Sequence, residues 1–96
     1  MVAYVVVDVE VNDDERYAGY LEAANGTHAP FGGRFLARGT SVHGLEGDWS
    51  PKRFVIIEFP DRKAARDWYE SDGCQAARRR RLGAATFRAV IVDGIP

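Results

Sequence analysis

Two segments of this chain are apolar on both of the faces that strand alternation creates. In the first, Ala3, Val5, Val7 and Val9 share one face, and Tyr4, Val6 and Asp8 share the other. In the second, Arg53–Phe59, Val55, Ile57 and Phe59 share one face, and Phe54, Ile56 and Glu58 the other. Branched and aromatic side chains of this kind favour extended backbone. A strand with one wet face alternates apolar with polar, whereas a strand apolar on both sides is central and covered twice. The chain must therefore find two covers for one sheet.

The intervening sequence supplies only one. Asn12-Asp13-Asp14 opens a helix, with a short polar cap and acids at its positive end. Tyr17, Tyr20, Leu21 and Ala24 recur along it at helical spacing. Asn25-Gly26 and Pro30 end that pattern, and Gly32-Gly33 leads into a second strand, Arg34 to Arg38. Residues 39–51 read as an extended hairpin before the third strand at Arg53–Phe59. Pro60-Asp61 starts a helix carrying Ala64, Ala65, Trp68 and Tyr69, which Ser71-Asp72-Gly73 breaks. A short helical piece from Gln75 to Leu82 stops at Gly83, and Phe87 to Val92 is the last strand. The order predicts an α+β, ferredoxin-like βαββαβ fold with a four-stranded antiparallel sheet, one domain over residues 1–96. Helices then cover one face. A chain of 96 residues also buries only about two-thirds of its unfolded surface. The economical cover for the bare face is a second copy, packed sheet against sheet.

The net charge of −1 conceals that eleven of the thirteen cations are arginine. The first and third strands are expected at the centre, running parallel, with Asp8 and Glu58 near one end. Arg34 then approaches Glu58, Arg88 approaches Asp8, and Arg38 lies further along the second strand. Such a cluster reads as an anion-binding or acid–base pocket, because Arg grips a carboxylate through two parallel hydrogen bonds and a partly buried acid serves as a base. It reads more simply as ion pairs that fix the register of two subunits.

The ordered run Gly32-Gly33-Arg34-Phe35-Leu36-Ala37-Arg38-Gly39, Leu45-Glu46-Gly47-Asp48-Trp49, Pro51-Lys52-Arg53, Ile57-Glu58-Phe59-Pro60 and Ala64-Ala65-Arg66-Asp67-Trp68-Tyr69 resembles the DUF1330 family of small proteins of unknown function. The resemblance spans nearly the whole chain. It implies a ferredoxin-like dimeric α/β barrel, akin in fold to antibiotic-biosynthesis-type monooxygenases, EthD-like proteins and muconolactone isomerases. Fold likeness does not carry their chemistry across. The chain departs from the family pattern at Ser71-Asp72-Gly73-Cys74-Gln75, where Cys74 replaces a tyrosine, and at Phe31. Arg81 matches a family arginine.

Other groups weigh less. His28 and His43 have no metal-ligand spacing, so no metal is expected, although His28 at a pocket rim could act as acid or base. Trp68 and Tyr17 fall on helix stripes and read as core, whereas Trp49 in the glycine-rich segment reads as gating a pocket or packing on a partner. Cys74 reads as a small apolar filler. The run Arg78 to Arg81 points in four directions at about 100° per residue and makes no single stripe. With net charge −1, no nucleic acid is expected. The glycines form no phosphate loop, and no motif calls for a cofactor. No apolar run suffices for a membrane span and no leader precedes the first strand, so the cytoplasm is the expected compartment. The expected partners are a second copy and a small ligand, drawn to Arg34, Arg38, Trp49, Arg81 or Arg88, with Asp8, Glu58 and His28 as candidate catalytic groups. The alternative is a noncatalytic dimeric module.

Overall fold

Alternation along β1 (Ala3–Val11) divides the molecule. Ala3, Val5, Val7 and Val9 are buried, whereas Tyr4, Val6 and Asp8 between them are only half-buried. The computed structural model describes residues 1–96, and adds β2 (Arg34–Gly39), β3 (Arg53–Phe59) and β4 (Ala85–Asp93), with α1 (Asp14–Ala24), α2 (Arg62–Glu70) and α3 (Asp72–Arg81). A single 3₁₀ turn at Ala29–Phe31 precedes β2.

Local chemistry sets the helix ends. Asp13 accepts the Arg16 amide at 3.1 Å to start α1, and Asp61 accepts the Ala64 amide at 2.7 Å to start α2. Ser71 does two jobs. Its amide donates to the Trp68 carbonyl at the end of α2, and its hydroxyl accepts the Cys74 amide that opens α3. The third helix therefore starts at Asp72, three residues before the Gln75 expected from sequence. Two glycines fix the entry to β2. Gly32 has φ +76°, and a Cβ at Gly33 would meet the Phe59 ring at 2.6 Å.

The strand order is β2-β3-β1-β4, and every pair is antiparallel. This corrects the expectation that β1 and β3 run parallel. The helical crossover makes β2 repeat the direction of β1. β3 returns from β2 in the opposite sense, so inserting it between the two makes it antiparallel to both. The sheet is open, with β2 and β4 as edges, so one chain forms no closed barrel. Residues 40–52 differ from the expected hairpin as well. Pairing of β2 with β3 ends at Gly39 opposite Phe54, and an exposed irregular loop makes the connection.

All three helices lie on one side of the sheet. The core there consists of Val5, Val7, Val9 and Ile57 with Phe59, Tyr17 and Ala65. Only 11 of the 96 residues are buried, and none belongs to the opposite sheet face. On that face Tyr4, Val6, Phe54 and Ile56 are half-buried, while Val90 on β4 is 62% exposed. The Cα envelope, 35 × 35 × 16 Å, is that of two layers.

Phe59 is fully buried and stacks against Trp68 with ring centroids 5.3 Å apart. Phe59→Ala is expected to lower stability by about 3–5 kcal/mol in denaturant unfolding at fixed protein concentration, since the thin core has little with which to fill the void.

Candidate functional site

The expected charge cluster separates into two pairs. Arg34 Nε donates to Glu58 Oε1 at 3.3 Å, and Arg88 Nη2 lies 3.7 Å from Asp8 Oδ2. Both pairings follow the sequence expectation. Their convergence at one mouth does not. Because β1 and β3 are antiparallel, Asp8 sits opposite Phe54 and Glu58 opposite Tyr4, four residues apart along the strands. At about 3.4 Å per residue the two carboxylates are more than 10 Å apart along the sheet. Trp49 folds back from the loop to close the Asp8 end. Its indole N–H donates to Asp8 Oδ2 at 3.0 Å, and its ring meets Phe54 edge-on at 5.8 Å. Asp8, Glu58, Arg34, Arg88 and Trp49 thus decorate the open sheet face, with both acids already paired.

Arg38 goes elsewhere. Strict alternation from Arg34 puts Arg38 on the same face. In the structure Phe35 pairs with Ile57 and Ala37 with Ile56, so Leu36 is an extra residue in the ladder. This bulge reverses the alternation and sends Arg38, opposite Val55, to the helix side. There its guanidinium lies 4.3 Å from the centroid of the Phe35 ring.

Arg38 and Phe35 border a cavity of about 230 Å³ between α1 and the sheet, which His28, Tyr17, Tyr20 and Trp68 also line. The lining is predominantly apolar: ten of its fifteen residues are hydrophobic. An apolar cavity of about 150 Å³ holds benzene, so this one has room for a single substituted ring. His28 packs edge-on to Phe35 at 4.7 Å, which ties it to the same wall as Arg38. Trp68 donates its indole N–H to Thr27 Oγ1 at 3.0 Å, anchoring α2 to the loop after α1. No group of three His, Cys, Asp or Glu side chains gathers here or elsewhere in the chain.

Electrostatics assign the tyrosines a role. Burial pushes the Tyr17 hydroxyl up from 10.0 to about 12, with Tyr20 adding to the rise and Arg53 and Arg81 opposing it. Burial likewise raises Tyr20 against the opposing charge of Arg81. Both therefore stay protonated across the neutral range, which leaves their hydroxyls able to donate a hydrogen bond to a neighbour. Burial also raises the Cys74 thiol, which disfavours the thiolate and agrees with a filler role.

A second opening lies at the other edge of the helix side, as a groove of about 620 Å³ between α2, α3 and β4. Arg81 lines it. The four-arginine run splits as its spacing predicts: Arg81 is buried, Arg78 is half-buried, and Arg79 and Arg80 are exposed. Neither opening was legible from sequence as a cavity, because both depend on how far the helices stand off the sheet.

The raised Tyr17 value has a consequence for stability. Below pH 10 the native and unfolded states both hold the proton, and Tyr17 contributes in full. As pH rises from 10 to about 12 only the native state retains it, so that contribution is lost. Thermal midpoints are expected to fall across this window, with a shallower fall in Tyr17→Phe. Equal slopes would contradict the assignment.

The chain matches the model of a family described as a domain of unknown function, DUF1330, over residues 2–95. No curated protein matches it. Among solved structures it is similar to the RPA0582 protein of unknown function from Rhodopseudomonas palustris, with TM-score 0.78 and 18% identity over 99% of this chain and 83% of that one. It is also similar to a dimeric ferredoxin-like protein of unknown function from Jannaschia sp. CCS1, with TM-score 0.75 and 14% identity over 98% of this chain and 100% of that one. SnoaB, a cofactor-independent oxygenase from Streptomyces nogalater, aligns with TM-score 0.67 and 14% identity over 99% of this chain and 94% of that one. At these identities the structures establish the ferredoxin-like fold. The family match, covering nearly every residue, establishes that the chain belongs to the DUF1330 family.

Proposed function

We propose that this protein is a homodimer, packed sheet to sheet, that binds a small aromatic or acidic molecule in the cavity between α1 and the sheet. The observation that carries the reading is the Leu36 bulge. It diverts Arg38 from the face where its neighbours form ion pairs into an apolar cavity where the lining offers no carboxylate. A cation at the rim of an apolar pocket selects a ligand with a ring to bury and an acidic group to anchor. Tyr17 and Tyr20 supply donors, and His28 is placed to move a proton to or from a ligand held against Phe35. Proton transfer of this kind needs no cofactor. The cytoplasm suits its single, unpaired cysteine.

Dimerisation rests on the open face. Val6, Ile56, Val90 and Val92 form an apolar strip flanked by the Arg34–Glu58 and Arg88–Asp8 pairs. In this arrangement the two pairs fix register, which is also what the noncatalytic alternative would assign to them. Light scattering at micromolar concentration is expected to give a dimer. Val90→Lys, at a position exposed in the single chain, is expected to give a folded monomer. A monomeric wild type would contradict the assembly.

The cavity is tested by thermal shift with benzoate, salicylate and their neutral amides. Acids are expected to stabilise the wild type more than amides do, and Arg38→Ala to lose about tenfold in affinity for the acids alone. Equal shifts in both proteins would place Arg38 outside the site.

A further inference from the structure

α3 ends in four consecutive arginines; helical spacing puts Arg78 and Arg81 on one face, and only one of the four is buried. That one is Arg81, which is 8% exposed. A buried guanidinium ordinarily has a carboxylate against it, since an uncompensated buried charge is costly. Arg81 has none. It makes no ion pair, and its Nε–H is buried without a hydrogen-bond partner. Ring faces hold it instead: Phe87 lies 3.6 Å and Tyr20 5.2 Å from its guanidinium carbon. Contact through the flat face leaves the in-plane Nε–H without a partner, while the Tyr20 hydroxyl takes up part of the remaining donor capacity.

The surroundings of Arg81 reinforce the imbalance. The groove of about 620 Å³ that it lines also contains Arg62, Arg66 and Arg78. Arg62 is taken by Asp93, through bonds of 3.1 and 3.0 Å. Arg66 and Arg78 make no ion pair, and Glu70 is the only acid in the lining. Three unpaired guanidinium groups therefore face one carboxylate. Seven of the twelve lining residues are hydrophobic, among them Phe87, Ala89 and Ile91 on β4.

We propose that this groove is a second binding site, separate from the cavity at Arg38, for a small organic anion whose carboxylate or phosphate group pairs with Arg81 and Arg78 while its apolar body lies along β4. The excess of cations favours a doubly charged ligand, and the apolar floor favours an organic one. Beside Arg81, which is 8% exposed, a charge-assisted bond is less screened than at the open rim. Arg81 is thereby kept for an external partner.

The test is amide NMR titration of the full chain with phthalate, phenyl phosphate, inorganic phosphate and neutral phthalamide. Saturable shifts at Ala89, Ile91 and Arg78 with the organic dianions, and none with phthalamide, are the expected result. Arg81→Lys should weaken binding about tenfold, Arg78→Ala several-fold, and the exposed Arg79→Ala not at all. Tighter binding of phenyl phosphate would mark a phosphate ester as the head group, and tighter binding of phthalate a dicarboxylate; both agree with the proposal. Absence of saturable shifts at Ala89 and Ile91, or equal binding by phthalamide, would overturn it. Shifts confined to Gly26, Phe35 and Val55 would put the anion in the Arg38 cavity, overturning this site and leaving the other. If Arg81→Lys fails to fold, Arg78→Ala decides: undiminished affinity there overturns the proposal.

Discussion

β1 and β3 are apolar on both faces, and the chain has helices for only one. The helical layer buries Val5, Val7, Val9, Ile57 and Phe59, and leaves Val6, Ile56 and Val90 on the opposite side. Removing apolar surface from water is worth roughly 25 cal/mol per Å², so a bare strip of this kind is a standing drive toward association. The two faces consequently take different duties. One holds the core and its cavities, and the other is available for a second copy.

The division also decides where chemistry can occur. The two candidate acids on the open face, Asp8 and Glu58, each already have an arginine, and Asp8 has the Trp49 indole as well. Paired charges at the edges of an apolar strip specify alignment more readily than they catalyse. Two of the unpaired cations, Arg38 and Arg81, are on the helix side, each beside aromatic rings and each bordering a space. Trp68 on α2 and Phe87 on β4 line both spaces, so the two openings share a wall between helix and sheet.

Much of this was legible in the residues. The β3 limits, Arg53–Phe59, follow from composition, and both ion pairs follow from edge strands running against their neighbours. β3 runs antiparallel to β1, against the parallel expectation, and this places Asp8 and Glu58 at opposite ends of the paired strands. The Leu36 bulge left no trace, because Arg34-Phe35-Leu36-Ala37-Arg38 alternates well and carries no internal glycine. The start of α3 was missed because Gly73 reads as a breaker, whereas the Ser71 cap outweighs it. The burial of Arg81 follows from spacing only once the sheet-facing side of α3 is known.

The central claim is that the open sheet face is covered in solution while the helix side holds the core. Solvent paramagnetic relaxation of methyl protons reads this directly. With a soluble paramagnetic agent at micromolar protein, the methyls of Val6, Ile56 and Val90 are expected to be as protected as those of Val5 and Ile57, and to lose protection on dilution. Methyls of Val6, Ile56 and Val90 that relax like surface groups at every concentration would contradict the account.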